Sequence, residues 1–566
     1  MNERFMSRKK MREKVLITAA LPYANGPLHF GHIAGVYLPA DCCARFHRLI
    51  GSDVIYICGS DEYGIAITLN AEHAGIPFKE YVDYYHNLHL ASFRDLNIVF
   101  DYFSRTTSDS HAPLVIDFYN DLKRGRYIEE KETEQLFSEQ EDRFLADRYV
   151  TGKCPYCKAD GVRGDECGSC GASYEATDLI DPRSKINGKS LVLKKTRHDF
   201  LKLELFKEFL EKRLKERPFR PNVQKFVLEY LKNLRSRAIT RDLNWGVPVP
   251  GKESKVFYVW FDAPIGYVSA TLDWADKVKN NRELWKDYWL KDDVKYIEFI
   301  GKDNIVFHAV IFPSMEEGQS LPYKQVDDLV ASEFYTLEGK QFSKSDGHFI
   351  DIDDFLSKYS VDTVRYFLAS GAPETSDSNF SFEEFKSRCN ADLVGKYGNF
   401  INRVLSFADK NGFKTIKAHS HLLNDENIAF MESVKNGARE AYDCYTDYSI
   451  RRATQAVMEV ATLGNVYFNS AAPWKLIKDS SCREKVENIL FCCLFCQKIL
   501  ALISYPLIPE TSIKILNALG IVNKEKTNGV TFSDESIFDL WNKDFLDYRS
   551  TEYAPVCPDL LFSLIE

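Results

Sequence analysis

A chain of 566 residues exceeds what a single hydrophobic core supports, so three or more domains are expected. With 45% hydrophobic and 27% charged residues it has the composition of an ordinary soluble globular protein. A formal net charge of −9 argues against a generally basic nucleic-acid binder, but it leaves room for a local basic face, because phosphate contacts depend on where Lys and Arg sit. The start MNERFMSRKKMREK is basic and polar and lacks the apolar stretch of a signal peptide, which predicts a cytoplasmic protein. Fourteen cysteines in such a compartment point to thiols and metal ligands rather than disulfides.

The uncharged, β-branched run Val15 to Leu21 reads as a strand covered on both faces of a parallel sheet. Pro22-Tyr23-Ala24-Asn25-Gly26-Pro27 stops it. Pro27 presets φ for a helix start, so Leu28-His29-Phe30-Gly31-His32 is expected on a first turn, where free N–H groups and the dipole favour phosphate. Gly31 leaves space for a flat ring between the two imidazoles. Two histidines at this spacing carry little by themselves; their place after a buried strand gives them weight. Val54 to Cys58 reads as a second buried strand, followed by Asp61, which either caps the next helix or faces a ligand at the strand end.

From Tyr102 to about Arg126 strand and helix alternate, and from Tyr127 the pattern changes to short strands and turns carrying Cys154-Pro-Tyr-Cys157 and Cys167-Gly-Ser-Cys170. Two C-x-x-C pairs this close can place four thiolates tetrahedrally on one zinc, and with no open position the zinc is structural. Between Lys207 and Arg241 basic residues outnumber acids, including Arg213, Arg217 and Arg220; they are either a solvated helix face or a contact for nucleic acid. Phe257 to Tyr267 is strand-like until Pro264 and brings aromatic residues to a strand end. Ile297 to Ile300 is another strand, leading into Gly301-Lys302-Asp303-Asn304. Leu337-Glu-Gly-Lys340-Gln341-Phe342-Ser343-Lys344-Ser345 has the small residues of a mobile loop and a lysine for triphosphate. Beyond about residue 366 the periodicity is helical, and the apolar stretch 489–509, interrupted by Gln497-Lys498, is expected to be a buried helix rather than a membrane span.

The run Pro22 to His32 resembles the HIGH signature of class I aminoacyl-tRNA synthetases, in the form found in methionyl-tRNA synthetases, and Gln341 to Ser345 resembles their KMSKS signature. The resemblance extends over nearly the whole chain from Lys14, with motifs in the same order. It implies an α/β fold: a Rossmann-type parallel sheet split by a zinc-knuckle connective-peptide insertion, then an all-α helical bundle that binds the anticodon. The boundaries expected are 1–126 and 236–335 for the catalytic halves, 127–235 for the insertion, 336–385 for the stem-contact region with the KMSKS loop, and 386–566 for the anticodon-binding domain. It also implies activation of L-methionine with ATP and Mg²⁺, transfer to tRNA(Met), and one zinc per chain.

Residue by residue, the resemblance puts His29, His32 and Lys344 in catalysis. ATP contacts are implied for His29, Gly31, His32, Asp303, Ser343, Lys344 and Ser345. Leu21, Tyr23, Trp260, Ala263, Pro264, Tyr267, Phe307 and His308 would line a methionine pocket, with Asp61 meeting the α-amino group; aromatic rings suit a polarizable thioether. Asn399, Arg403 and Trp474 would read the anticodon, Trp474 otherwise being a core residue. The sequence departs from the family at Gln341, where the pattern has its first lysine, and a catalytically silent relative is the rival this supports. A cysteinyl enzyme would use zinc in its substrate pocket, whereas the thiols here lie in the insertion. The insertion is too short for an editing domain, no membrane contact is expected, and the resemblance ends without the dimerising domain of some relatives, so a monomer is expected.

Overall fold

The computed structural model describes residues 13–145, 149–163, 167, 170, 174, 176–342, 347–521, 552–558 and 560–565. Five strands form one all-parallel sheet: β1 (Lys14–Ala19), β2 (Asp53–Ser60), β3 (Tyr102–Arg105), β4 (Val294–Gly301) and β5 (Asp328–Ser332), in the order β5-β4-β1-β2-β3. The chain moves outward from β1 through β2 to β3 and then returns to the other side of β1 with β4. Strand order therefore reverses between β1 and β4, and a crevice opens at their carboxyl ends, which is where ligands of open α/β sheets bind. Side chains alternate faces. Ile17, Tyr56 and Phe299 enter one core, while Leu16, Ile55 and Tyr296 enter the other.

The insertion between β3 and β4 has three parts. A long antiparallel arm pairs Ile128–Ser138 with Val192–Leu201, a small sheet of Val150–Lys153, Val162–Arg163 and Ile180–Ser184 carries the cysteines, and two helices return the chain to the sheet. Those helices, Lys207–Glu216 and Pro221–Tyr230, bury Leu210, Leu214, Val223 and Val227 in the core beneath the sheet. The cysteine-bearing tip has a small cluster built on Leu136, Tyr149, Val150 and Leu179, against which Ile65 and Leu69 of the helix Ile65–Ala74 pack.

The aromatic segment after the insertion differs from the sequence reading. Only Val256–Phe257 is strand, and Val259–Asp262 turns helical before Pro264 leads the helix Ile265–Lys277. The turn is closed by Ala263 N–H donating to Val259 O at 2.8 Å, which supplies the backbone partners a strand at this position would lack.

The C-terminal half is helical, with Asn399–Lys410, Asp425–Thr446, Ile450–Ala471, Arg483–Ser504 and Pro509–Ala518 as its main elements. Asn424 and Asn427 cap the second of these reciprocally. Arg483–Ser504 is the apolar helix expected from the sequence, and 94% of its most apolar window is buried, so it is the centre of the bundle. This bundle shares one continuous apolar core with a face of the sheet. At their junction Arg365 donates to the carbonyls of Leu96, Asn97, Pro506 and Leu507 and pairs with Asp41 at 2.7 Å; Arg45 holds the same carboxylate at 2.8 Å.

Candidate active site

The loop after β1 begins where Ala20 N–H donates to Phe299 O of β4 at 2.9 Å. It is then stapled to the loop after β2: Asp61 N–H donates to Pro22 O at 2.9 Å and Ala24 N–H to Asp61 O at 2.8 Å. The helix starts at Phe30, three residues later than Pro27 suggested, because His29 rather than the proline organises it. His29 is extended (φ −139°, ψ 167°) and its Nδ1 accepts from Gly31 N–H at 3.1 Å, while His32 Nδ1 accepts from His29 N–H at 3.3 Å. Two imidazoles thus form a reciprocal cap. With Nδ1 accepting on both, the neutral rings carry their proton on Nε2 as donors. The rings stack on each other at 3.7 Å, and Phe342 stacks on His29 at 4.5 Å. A Cβ at Gly31 would come within 2.9 Å of the His29 ring and 3.3 Å of Phe342, so this close approach needs glycine.

Asp61 does not cap the following helix, whose N-cap is Gly64. Its Oδ1 accepts from Tyr63 N–H at 3.4 Å, and the residue is 2% exposed. Burial pushes its carboxyl well above the usual carboxylate range, and the neighbouring Asp262 adds to this. A buried carboxylate with that penalty is stabilised by an arriving cation.

Opposite, Trp260 on the short helical turn stacks on Phe307 at 3.8 Å and meets Tyr23 edge-on at 6.3 Å. Tyr267 and His308 form the polar end of this wall. His308 Nδ1 lies 2.9 Å from Asn304 O and must donate to it, so its Nε2 accepts from the Tyr267 hydroxyl at 2.8 Å. Burial pulls His308 down to about 4, keeping it neutral.

These groups surround a cavity of about 430 Å³ at the ends of β1 and β4. Of the residues singled out in the sequence, Leu21, Tyr23, His29, Gly31, His32, Asp61, Trp260, Ala263, Pro264, Tyr267, Asp303 and His308 all line it. Phe307 does not; it backs Trp260 instead. Ser343, Lys344 and Ser345 lie outside the described residues, but Gln341, the position of departure from the family pattern, reaches the cavity. Sequence reasoning missed Asn304 and Glu333 to Tyr335 on its rim. The short apolar run ending β5 was the only signal for the latter.

In the insertion the Sγ atoms of Cys154, Cys157, Cys167 and Cys170 lie within 4.8 Å of one another. Cys154 and Cys170 are 3.8 Å apart and Cys157 and Cys167 3.6 Å. A tetrahedron with Zn–S bonds of about 2.3 Å has edges of about 3.8 Å, so these four thiols fit one zinc. Cys157 N–H donates to Cys154 Sγ at 3.4 Å, a second partner of the kind that orients a ligating sulfur.

Of the basic residues between Lys207 and Arg241, several are engaged in the fold itself, a role the sequence reading did not consider. Arg213 is buried and donates to Val326 O, Arg217 pairs with Asp327, and Arg220 donates to Asp447 O. In the helical domain Asn399 donates to Asn465 at 3.3 Å and Arg403 to Asn469 at 2.8 Å. Phe468 lies between Arg403, 5.4 Å from its ring, and Trp474, 5.7 Å away edge-on. Trp474 stays 38% exposed, so it is not a core residue.

A parallel sheet whose switch-point cavity is entered by a helix capped by two histidines, followed by a helical bundle, defines a class I tRNA synthetase. The family model for class I (M) tRNA synthetases matches residues 15–405, and that for the anticodon-binding domain of methionyl tRNA ligase matches residues 419–535. The chain is 57% identical to the methionine–tRNA ligase of Chlamydia pneumoniae over 98% of its own length and 100% of that relative, and 50% identical to that of Protochlamydia amoebophila over 99% and 78%. The methionyl-tRNA synthetase of Mycobacterium tuberculosis in complex with methionyl-adenylate superposes with a TM-score of 0.78 at 25% identity, covering 98% of this chain and 100% of that one. The chain belongs to the methionyl-tRNA synthetase family.

Proposed function

We infer that this protein is a methionine–tRNA ligase, which activates L-methionine with ATP and transfers it to the terminal adenosine of tRNA(Met), releasing AMP and pyrophosphate. The observation that carries the methionine assignment is the cavity itself: a buried acid, Asp61, faces an aromatic wall of Tyr23 and Trp260, which suits an ammonium at one end and a thioether at the other. Trp260, Ala263, Pro264, Tyr267 and His308, with Leu21 and with Phe307 from behind, would hold the side chain.

The methionine carboxylate attacks the α-phosphate of ATP, an oxygen–phosphorus bond forms as the bond to pyrophosphate breaks, and the ribose hydroxyl of tRNA then displaces AMP. His29 and His32 are suited to the first step, since their Nε2–H groups and the helix start donate to phosphate oxygens as charge builds. Gly31, Asp303, Ser343 and Ser345 would position ATP, and Lys344 would meet the pyrophosphate. ATP enters with Mg²⁺, which supplies charge neutralisation on the pyrophosphate when bound. One zinc per chain would be held by Cys154, Cys157, Cys167 and Cys170, supplying folding stability to the insertion tip.

Asn399, Arg403 and Trp474 would read the anticodon, Trp474 offering its half-exposed ring for stacking. The functional division follows the segments 1–126, 127–235, 236–335, 336–385 and 386–566, acting as a cytoplasmic monomer. The test is ATP–pyrophosphate exchange with each of the twenty amino acids: methionine alone should support it strongly, and exchange with none would favour a silent relative.

A further inference from the structure

The acid that follows Asp61 in the chain is buried even more deeply, yet it faces the fold rather than the cavity. Glu62 is wholly buried. Its Oε1 accepts from the Ser60 hydroxyl at 2.7 Å, and its Oε2 accepts from Arg105 Nε at 2.8 Å and from the Thr107 hydroxyl. Because the carboxylate can only accept, the Ser60 proton is committed to it, and the Ser60 oxygen receives His86 Nδ1–H at 2.7 Å. Arg105 also pairs with Asp83, so the helix Phe78–Asp95 braces Glu62 twice, through His86 and through Asp83.

The backbone of residue 62 is fixed as well. Its N–H donates to the Thr106 hydroxyl at 3.0 Å, and its carbonyl accepts from Trp245 Nε1 at 2.7 Å. The Trp245 ring meets Tyr63 edge-on at 5.4 Å and lies tilted on Phe78 at 5.5 Å. β2 and β3 stay in register up to Ser60 and Arg105, and Thr106 N–H extends the ladder to Ser60 O at 3.1 Å. None of Ser60, Glu62, Arg105, Thr107 and Trp245 lines the cavity. Asp61 stands at the edge of this block. Its carboxylate touches Tyr63 N–H at only 3.4 Å, a contact too long to orient it alone, so its direction depends on where residues 62 and 63 are held.

We propose that Glu62 is a positioning residue for the ammonium site. By tying the end of β2 to β3 and to Trp245 it sets the direction of the Asp61 carboxylate, and by pairing with Arg105 it keeps that cation from opposing an incoming ammonium. This rests on the reading of Asp61 as the partner of the methionine α-amino group. Replacing Glu62 by glutamine acts on both counts. The amide presents a donor where Ser60, Arg105 and Thr107 already donate, so the strand end shifts, and Arg105 keeps only Asp83 to balance its charge.

The test compares the dissociation constants of L-methionine and of L-2-hydroxy-4-(methylthio)butanoic acid, the same molecule with a hydroxyl in place of the ammonium. Their ratio reads what the ammonium adds. Glu62→Gln should lower this preference for methionine about tenfold, the scale of a charge-assisted hydrogen bond, while binding of the hydroxy acid, the ATP KM and kcat for exchange stay near wild type. Trp245→Phe keeps an aromatic ring and removes the N–H that reaches Glu62 O; it should lower the preference about threefold, the scale of one neutral hydrogen bond. An unchanged ratio in folded Glu62→Gln overturns the proposal, including the case where both compounds weaken equally, because a loosened pocket acts on both alike. If Glu62→Gln does not fold, an unchanged ratio in Trp245→Phe overturns it. An unchanged ratio in Asp61→Asn would instead refute the reading of Asp61 on which the proposal rests.

Discussion

Two buried acids near the start of the chain show how the same residue type serves two ends. Asp41, at the junction of sheet and helical bundle, is fully buried between the guanidiniums of Arg45 and Arg365. Burial raises its carboxyl, but the two cations outweigh that and hold it below its ordinary 3.8. Asp61, at the cavity, is almost as buried, and the acid beside it is another acid, so its carboxyl is driven the other way. A charge neutralised within the fold holds the fold together, whereas a charge left for an incoming cation costs stability until the ligand arrives.

The sharpest way to break this comparison is at Asp41. Asp41→Asn leaves two buried guanidiniums without their anion, and removing one partner of a buried pair costs about 3–5 kcal/mol. Denaturant unfolding should show that loss. The sign with pH follows: a lowered folded pKa contributes stability that is present above the unfolded value near 3.8 and is lost as pH falls through the folded one. Wild-type and Asp41→Asn stabilities should therefore converge only in strong acid. Next in size, Lys344→Ala should lower adenylate formation about a hundredfold, the scale for a preorganised group facing transition-state charge, with methionine KM little changed. A raised KM at unchanged kcat would place Lys344 in substrate binding instead.

At Asp61 the pattern should invert. Asp61→Asn should raise the methionine KM about ten- to a hundredfold, as expected for losing a charge-assisted hydrogen bond of about 1.5–3 kcal/mol, while its melting temperature holds or rises. A drop in stability like that of Asp41→Asn would erase the distinction. Trp474→Ala, in the helical bundle, should cut aminoacylation about tenfold or somewhat more through lost stacking of about 1–3 kcal/mol, with exchange near wild type. If exchange falls in parallel, Trp474 serves the fold rather than the anticodon.

Much of this was legible in the sequence where the signal is local. β1 and β2 are uncharged beyond their first residues, the two C-x-x-C pairs converge as their spacing requires, and the apolar helix is central to its bundle. What was not legible depends on distant partners. Nothing near Asp61 says that Asp262, two hundred residues on, will oppose its charge, or that Gly64 will take the capping role. Arg213, in a basic run, gave no sign of reaching Val326 O under the sheet. Phe257 to Phe261 has strand composition, yet the backbone partners lie on a helical turn, because Pro264 and the cavity wall set its direction. The helix start at Phe30 follows from side-chain caps by His29 and His32, which proline rules do not foresee.

Asp61 is the carboxyl that meets the methionine ammonium: burial and then the neighbouring Asp262 raise it above the usual carboxylate range, and an arriving cation offsets that cost. Titration calorimetry of methionine with the wild-type protein and with Asp61→Asn reads this contact most directly. Methionine should bind Asp61→Asn about ten- to a hundredfold more weakly, the scale of a charge-assisted hydrogen bond of about 1.5–3 kcal/mol. Equal affinity in the two proteins would contradict the assignment of Asp61 to the ammonium.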